Sequence, residues 1–231
     1  DFLPGIKLDP EIYATQSYED IINKDIILLA APAQFIRDIL TPISSRLAAA
    51  HPLVICSKGI EQKTGKLLSE VVSEISPNSV TAVLSGPTFA DEVAKGLPTA
   101  ITLACENIVE AEKLAKIIGT TTFRPYTSND ILGAQIGGAI KNVIAIACGI
   151  VDGRGLGQNA RAAIIARGLA EMGRFGAALN SNPETLMGLS GLGDLTLTCT
   201  SEASRNYTVG KRLGKGTAKT KIIDNRISIA E

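Results

Sequence analysis

DIILLAAPAQFIRDILTPISSRLAAAHPLVIC, residues 25–56, decides the fold class. Its opening, Asp25–Ala31, is an unbroken apolar run of the kind a strand shows when both its faces are buried in a parallel sheet. Helical spacing follows through Phe35, Ile36, Ile39 and Leu40. Leu53–Cys56 is then a second short apolar run. Working outward, the same alternation continues. Gly65–Ile75 reads as an amphipathic helix with Leu67, Leu68, Val71, Val72 and Ile75 on one face. Val80–Leu84 reads as a strand, Phe89–Lys95 as a short helix, Thr99–Ala104 as a strand, Val109–Ile118 as a helix and Thr121–Pro125 as a last strand. Repeated strand–helix–strand text implies an α/β layer with a mostly parallel sheet, a partial Rossmann-like domain over residues 1–127.

After about Ser128 the alternation stops. Asn129-Asp130 can cap a helix. Ile131–Val151 and Asn159–Leu179 read as long helices, Pro183–Met187 and Asn206–Leu213 as shorter ones. Residues 128–231 are therefore predicted to be an all-helical domain. No G-x-G-x-x-G follows a strand, so the turn that normally receives a dinucleotide's pyrophosphate is not in this text. Gly133, Gly137 and Gly138 lie inside a helical pattern, where they permit close packing.

Composition sets limits on function. The 231 residues are 45% hydrophobic and 20% charged, as in an ordinary globular protein. Residues 1–127 carry 15 acidic and 11 basic side chains, residues 128–231 carry 8 and 12. The second part leans toward an anionic ligand, but far too weakly for nucleic acid. Cys56, Cys105, Cys148 and Cys199 are too far apart for a local metal or redox motif, and with His51 as the single histidine no metal site is expected. Buried thiols in a reducing, cytoplasmic compartment are the plain reading. No run of about 18 apolar residues predicts a membrane span. Asp1–Gly5 has neither the basic region nor the apolar core of a signal peptide.

Lys141 is the most informative residue. It lies mid-helix in GGAIKNVIAIACG, and its neighbours three and four positions away are Gly137, Gly138, Ile144 and Ala145. None is a carboxylate, and the small apolar surroundings suggest burial. A buried amine loses affinity for its proton and can exchange it near neutral pH; the alternative is a lysine that snorkels to the surface. Lys58 follows a strand, where ligands of open α/β sheets collect, though an ordinary loop lysine would look the same. Gly86-Pro87-Thr88 also follows a strand and could hold an anion or merely cap a helix. Ser204-Arg205-Asn206 opens a helix, where an arginine and free N–H groups suit a phosphate and simple capping is the alternative. Ser190–Asp194 (SGLGD) reads as a Gly-rich turn delivering one carboxylate.

Together, ICSKGIE (55–61), LSGPTFADEVAKGLPTA (84–100), GAIKNVIAIACGIVDGRGLGQNAR (138–161), GLAEMGR (168–174) and GLSGLGDLTLTCTSEASRN (188–206) resemble the NAD(P)-dependent glycerol-3-phosphate dehydrogenase family. The resemblance implies a helical domain similar to the C-terminal domain of 6-phosphogluconate dehydrogenase. It implies reversible reduction of dihydroxyacetone phosphate with NADH or NADPH, supplying glycerol 3-phosphate for phospholipid synthesis. It makes Lys141 the catalytic proton donor and acceptor. Lys58, Gly86, Thr88, Lys141, Asp194, Ser204, Arg205 and Asn206 become substrate contacts; Lys58, Ala90, Arg205, Ile229 and Glu231 become cofactor contacts. The expected partner is a small phosphorylated substrate, with a homodimer as the candidate assembly.

The sequence departs from the family pattern in three places. It begins in a segment similar to the family's Y-L-P-G-I stretch, after the first βαβ unit, and it stops where the family continues. Arg154 stands where the family has an aliphatic residue. Two other readings follow: an inactive truncated remnant unable to bind the dinucleotide, and a related dehydrogenase acting on another hydroxy acid. Cofactor titration separates the first from the enzyme, and a substrate panel the second.

Overall fold

A computed structural model describes residues 3–218 of the chain. It divides into two compact units. The first runs up to Leu84 and resumes over Thr88–Asn129; the second takes Ser85–Pro87 and the chain from Asp130 onward.

The first unit has the order α1 (Glu19–Ile22), β1 (Ile27–Leu29), α2 (Ile36–Ser44), β2 (Pro52–Ile55), α3 (Leu68–Ile75), β3 (Val80–Ser85), α4 (Ala90–Ala94), β4 (Thr99–Cys105), α5 (Ile108–Ile118) and β5 (Phe123–Ser128). The five strands lie side by side in chain order. β1 pairs with β2, β2 with β3 and β4 with β5, each in parallel. Leu53, Val54 and Ile55 are fully buried, as their continuous apolar text implies. Val54, Ala82, Leu103 and Cys105 meet Ala111 and Leu114 of α5 in one core cluster. α3 buries Leu68, Val71 and Val72. It starts three residues later than its periodicity suggests, because Gly65 takes a positive φ of 72° and keeps the preceding chain in a turn. The Glu70 carboxylate accepts the Leu67 N–H at 2.7 Å and closes that helix start. β5 starts two residues later than Thr121 and runs to Ser128.

The loop after β2 is held from several sides. The Ser57 hydroxyl donates to the Leu29 carbonyl at 3.0 Å. The Gln34 side chain donates to Ile60 O and accepts the Gln62 N–H, both at 2.9 Å. Arg37 grips Glu61 with two donors at 2.8 and 2.9 Å, and Thr64 adds a third hydrogen bond. The Arg37 guanidinium, with Thr64, holds the Glu61 carboxyl down to about 2, from an ordinary 4.5. A carboxyl depressed in the fold stabilises it above its unfolded value and loses that effect as pH falls through the folded one. Glu61→Gln is expected to cost about 1 kcal/mol at neutral pH. It should also flatten the loss of stability between about pH 4.5 and 2. Urea titrations of both proteins across that window check this.

The second unit is helical: α6 (Ile131–Gly153), α7 (Gly157–Ala178), α8 (Pro183–Met187), a π-helical turn (Leu189–Gly193), α9 (Asp194–Thr200) and α10 (Arg205–Gly214). Its core joins Ile136, Ile144, Ala145 and Cys148 of α6 to Met172, Leu186, Leu195, Cys199 and Tyr207. α6 is long and apolar enough to cross a membrane, but 67% of its apolar window is buried inside the protein, as befits a core helix. Arg154 is its exposed C-cap, where a cation suits the negative helix end.

Candidate active site

Asp130 starts the helix that carries Lys141. One carboxylate oxygen accepts the Gly133 N–H at 2.8 Å, and the other accepts the Asn182 N–H at 2.9 Å. A single side chain thus caps α6 and ties the start of α8 to it. Two turns on, Gly137 lets the backbone of Ser190 and Gly191 lie directly on α6; a Cβ there would sit 2.7 Å from the Ser190 carbonyl carbon. Gly191 in turn lies against the Leu186 backbone, with 2.5 Å left to the Leu186 carbonyl carbon for any Cβ. These glycines allow residues 189–193 to wind as a π-helical turn rather than the open turn their composition suggests. Such turns concentrate at functional sites. This one delivers Asp194 as the first residue of α9.

Lys141 and Asp194 meet in the interior of the second unit. Lys141 is 7% exposed and Asp194 is fully buried. The Lys141 Nζ donates to Asp194 Oδ1 and, at 3.0 Å, to Thr198 Oγ1. The Thr198 hydroxyl proton goes to the Asp194 carbonyl at 2.6 Å, which leaves its oxygen free to accept from the amine. The carboxylate offsets the cost of removing the ammonium from water. The result is an amine of fixed direction, able to hold or release one proton. Thr198 escaped the sequence reading. It lies four residues after Asp194 and shares a face with it once the segment is a helix; read as a turn, the segment hides that spacing.

Ser204 is the N-cap of α10 and accepts the Tyr207 N–H at 3.2 Å. Arg205 is exposed in the first helical turn. Asn206 follows, and its Oδ1 is buried with no partner among the described residues. An acceptor left so is costly unless a ligand donor meets it.

In the first unit, Lys58, Thr88 and Ala90 line one cavity of about 320 Å³, with Cys56, Leu84 and Phe123 among its walls. Burial pushes the Cys56 thiol up to about 11, so it is an uncharged wall of that cavity. Gly86 lies in the short Ser85–Pro87 stretch that groups with the second unit. Ile229 and Glu231 lie outside the described residues.

Comparison with known proteins bears on this arrangement. Residues 1–111 match the model of the N-terminus of NAD-dependent glycerol-3-phosphate dehydrogenase, and residues 130–231 match that of its C-terminus. A glycerol-3-phosphate dehydrogenase [NAD(P)+] of Parvibaculum lavamentivorans is 52% identical over the whole chain, which spans 69% of that relative. The chain belongs to the NAD-dependent glycerol-3-phosphate dehydrogenase family. Another glycerol-3-phosphate dehydrogenase [NAD(P)+], of Paramagnetospirillum magneticum, is 58% identical over 90% of the chain and 76% of its own length. The crystal structure of glycerol-3-phosphate dehydrogenase from Coxiella burnetii superposes with a TM-score of 0.92 at 36% identity, covering 99% of this chain and 70% of that one. The parallel-dominated sheet and the helical unit after it are therefore the fold of a glycerol-3-phosphate dehydrogenase.

Proposed function

We propose that the chain works in the NAD(P)-dependent interconversion of sn-glycerol 3-phosphate and dihydroxyacetone phosphate, supplying glycerol 3-phosphate for phospholipid synthesis. The observation that carries this reading is the Lys141 amine, shielded from water and aimed by Asp194 and Thr198. A nicotinamide dinucleotide, when bound, supplies the hydride for ketone reduction and takes it back in the reverse direction. As negative charge develops on the carbonyl oxygen, Lys141 Nζ gives it a proton; in the reverse direction the neutral amine takes the hydroxyl proton. Asp194 stabilises the ammonium form and holds its direction.

Arg205, the Asn206 amide N–H and the N-terminus of α10 bind the substrate phosphate, with Ser204 shaping the turn, and the Asn206 Oδ1 accepts from a substrate hydroxyl. Arg205 also serves the cofactor. A cationic, a hydroxylic and a small side chain around one cavity suit a phosphate-bearing cofactor. That supports Lys58 as a contact for cofactor and substrate, Thr88 for substrate and Ala90 for cofactor; Gly86 is given to the substrate by the family resemblance alone. The same reading gives Ile229 and Glu231 to the cofactor. A homodimer and a cytoplasmic location complete it; the four free cysteines are in keeping with a reducing compartment.

The purified full-length protein is expected to oxidise NADH or NADPH only when dihydroxyacetone phosphate is added. No oxidation with either nucleotide would overturn the reading. Arg205→Ala is expected to raise KM for dihydroxyacetone phosphate at least about tenfold, since a charged hydrogen-bonding pair is lost. Initial rates over a substrate series measure that rise.

A further inference from the structure

DGRGLGQNAR, residues 152–161, runs from the end of the Lys141 helix into α7 and takes no part in the chemistry above. Its two ends converge on one buried phenol. Arg161 Nη1 donates to Tyr207 Oη at 3.0 Å. The Asp152 carboxylate lies near enough to the same phenol for its charge to act on it. Tyr207 is 2% exposed, and burial pushes its phenol above the usual range. It therefore keeps its proton, and its oxygen accepts from Arg161. Asp152 is held below the usual carboxylate range by Lys211, whose Nζ lies 3.0 Å away. Lys211 also reaches Glu202, whose carbonyl accepts the Thr208 hydroxyl at 2.9 Å.

This set of contacts brackets the Ser204–Asn206 turn. Glu202 stands just before it, Tyr207 and Thr208 just after, and both sides lead back to Asp152 near the end of α6. The Tyr207 N–H also closes the Ser204 cap. Tyr207 is held at both its phenol and its backbone N–H, so a shift of the whole residue would carry the first turn of α10 with it, and with that turn the directions in which Arg205 and Asn206 leave the backbone. Arg161 is the donor that fixes that ring from α7.

We infer that Arg161 is a positioning residue for the substrate's phosphate group, acting through Tyr207. The inference rests on the assignment of Ser204–Asn206 to that phosphate. Arg161→Met and Tyr207→Phe are each expected to raise KM for dihydroxyacetone phosphate about tenfold, as for loss of a charged hydrogen bond. In both, kcat should stay within about twofold and KM for the nucleotide should not move. Arg161→Lys, which keeps a donor, should restore part of the loss. The double variant should be no worse than either single one, because both remove the same link.

Effects that multiply in the double variant, or a loss confined to kcat, would overturn the inference. So would variants that lose only thermal stability while their substrate KM stays unchanged. Calorimetric binding of sn-glycerol 3-phosphate runs the same cycle without turnover. Binding with coupled losses but no turnover in the parent protein supports the inference and refutes the reaction. An absence of binding in the parent protein refutes both.

Discussion

Lys141→Met is expected to lower kcat about a thousandfold, within the range that a positioned proton-transfer group contributes. KM for dihydroxyacetone phosphate should change far less, because the phosphate contacts lie on α10. The substitution also has a structural cost. It withdraws the ammonium from the fully buried Asp194, and breaking such a pair by removing one partner destabilises by about 3 kcal/mol or more. Low activity could then reflect unfolding alone. The companion variant Lys141→Met with Asp194→Asn removes the stranded charge while keeping size and shape. Most of the stability is expected to return, and none of the turnover. Stability by urea titration and kcat by initial rates, measured on the same preparations, separate the two effects. If the double variant regained turnover with stability, the amine would not be the proton donor.

Gly210→Ala should lower stability sharply without touching the site's charges. Gly149 and Gly153 of α6 face Gly210 and Gly214 of α10, and the two backbones touch. A Cβ on Gly210 would lie 2.8 Å from the Ile146 carbonyl carbon and 3.0 Å from its Cα. One on Gly149 would lie 2.7 Å from the Lys211 nitrogen. These neighbours are backbone atoms inside two helices and cannot rotate away. In an open helix Gly→Ala gains about 1 kcal/mol. Here overpacking is expected to reverse the sign and cost about 3 kcal/mol. Gly173→Ala on α7, where a Cβ would meet nothing within 4 Å, is the matched control and should be neutral or stabilising. Because α10 carries the Ser204–Asn206 turn, Gly210→Ala should also weaken substrate binding in whatever fraction stays folded. Equal stability of the two alanine variants would show that the close approach is not there.

The α/β layer was legible from its apolar runs: β2 is buried on both faces as expected, whereas β1 leaves Leu28 exposed on one face. Ile27, Leu29 and Leu53–Ile55 cannot be placed in a polar-facing pattern, and their spacing leaves room for only one helix between strands. Asp130 marked the start of α6 through its capping chemistry. Lys141 stood out because its helical neighbours are all small and apolar, a property that survives in the sequence whatever lies across from it. Its partners were harder to see. Asp194 and Thr198 lie 53 and 57 residues away, and their shared helical face was concealed by glycines that look like a turn. Those glycines permit close backbone approach rather than chain reversal, and nothing local distinguishes the two uses. Arg161 and Tyr207 present the same difficulty across 46 residues. The roles of Ser204, Arg205 and Asn206 came from family resemblance, since capping alone explains their residue types.

The most direct measurement is chemical rescue. Folded Lys141→Ala, which opens room beside Asp194 and Thr198, is assayed for dihydroxyacetone phosphate reduction with increasing methylammonium. Turnover is expected to be very low without the amine and to rise with its concentration. Near-normal turnover of the same variant in the absence of any added amine would contradict the role given to Lys141.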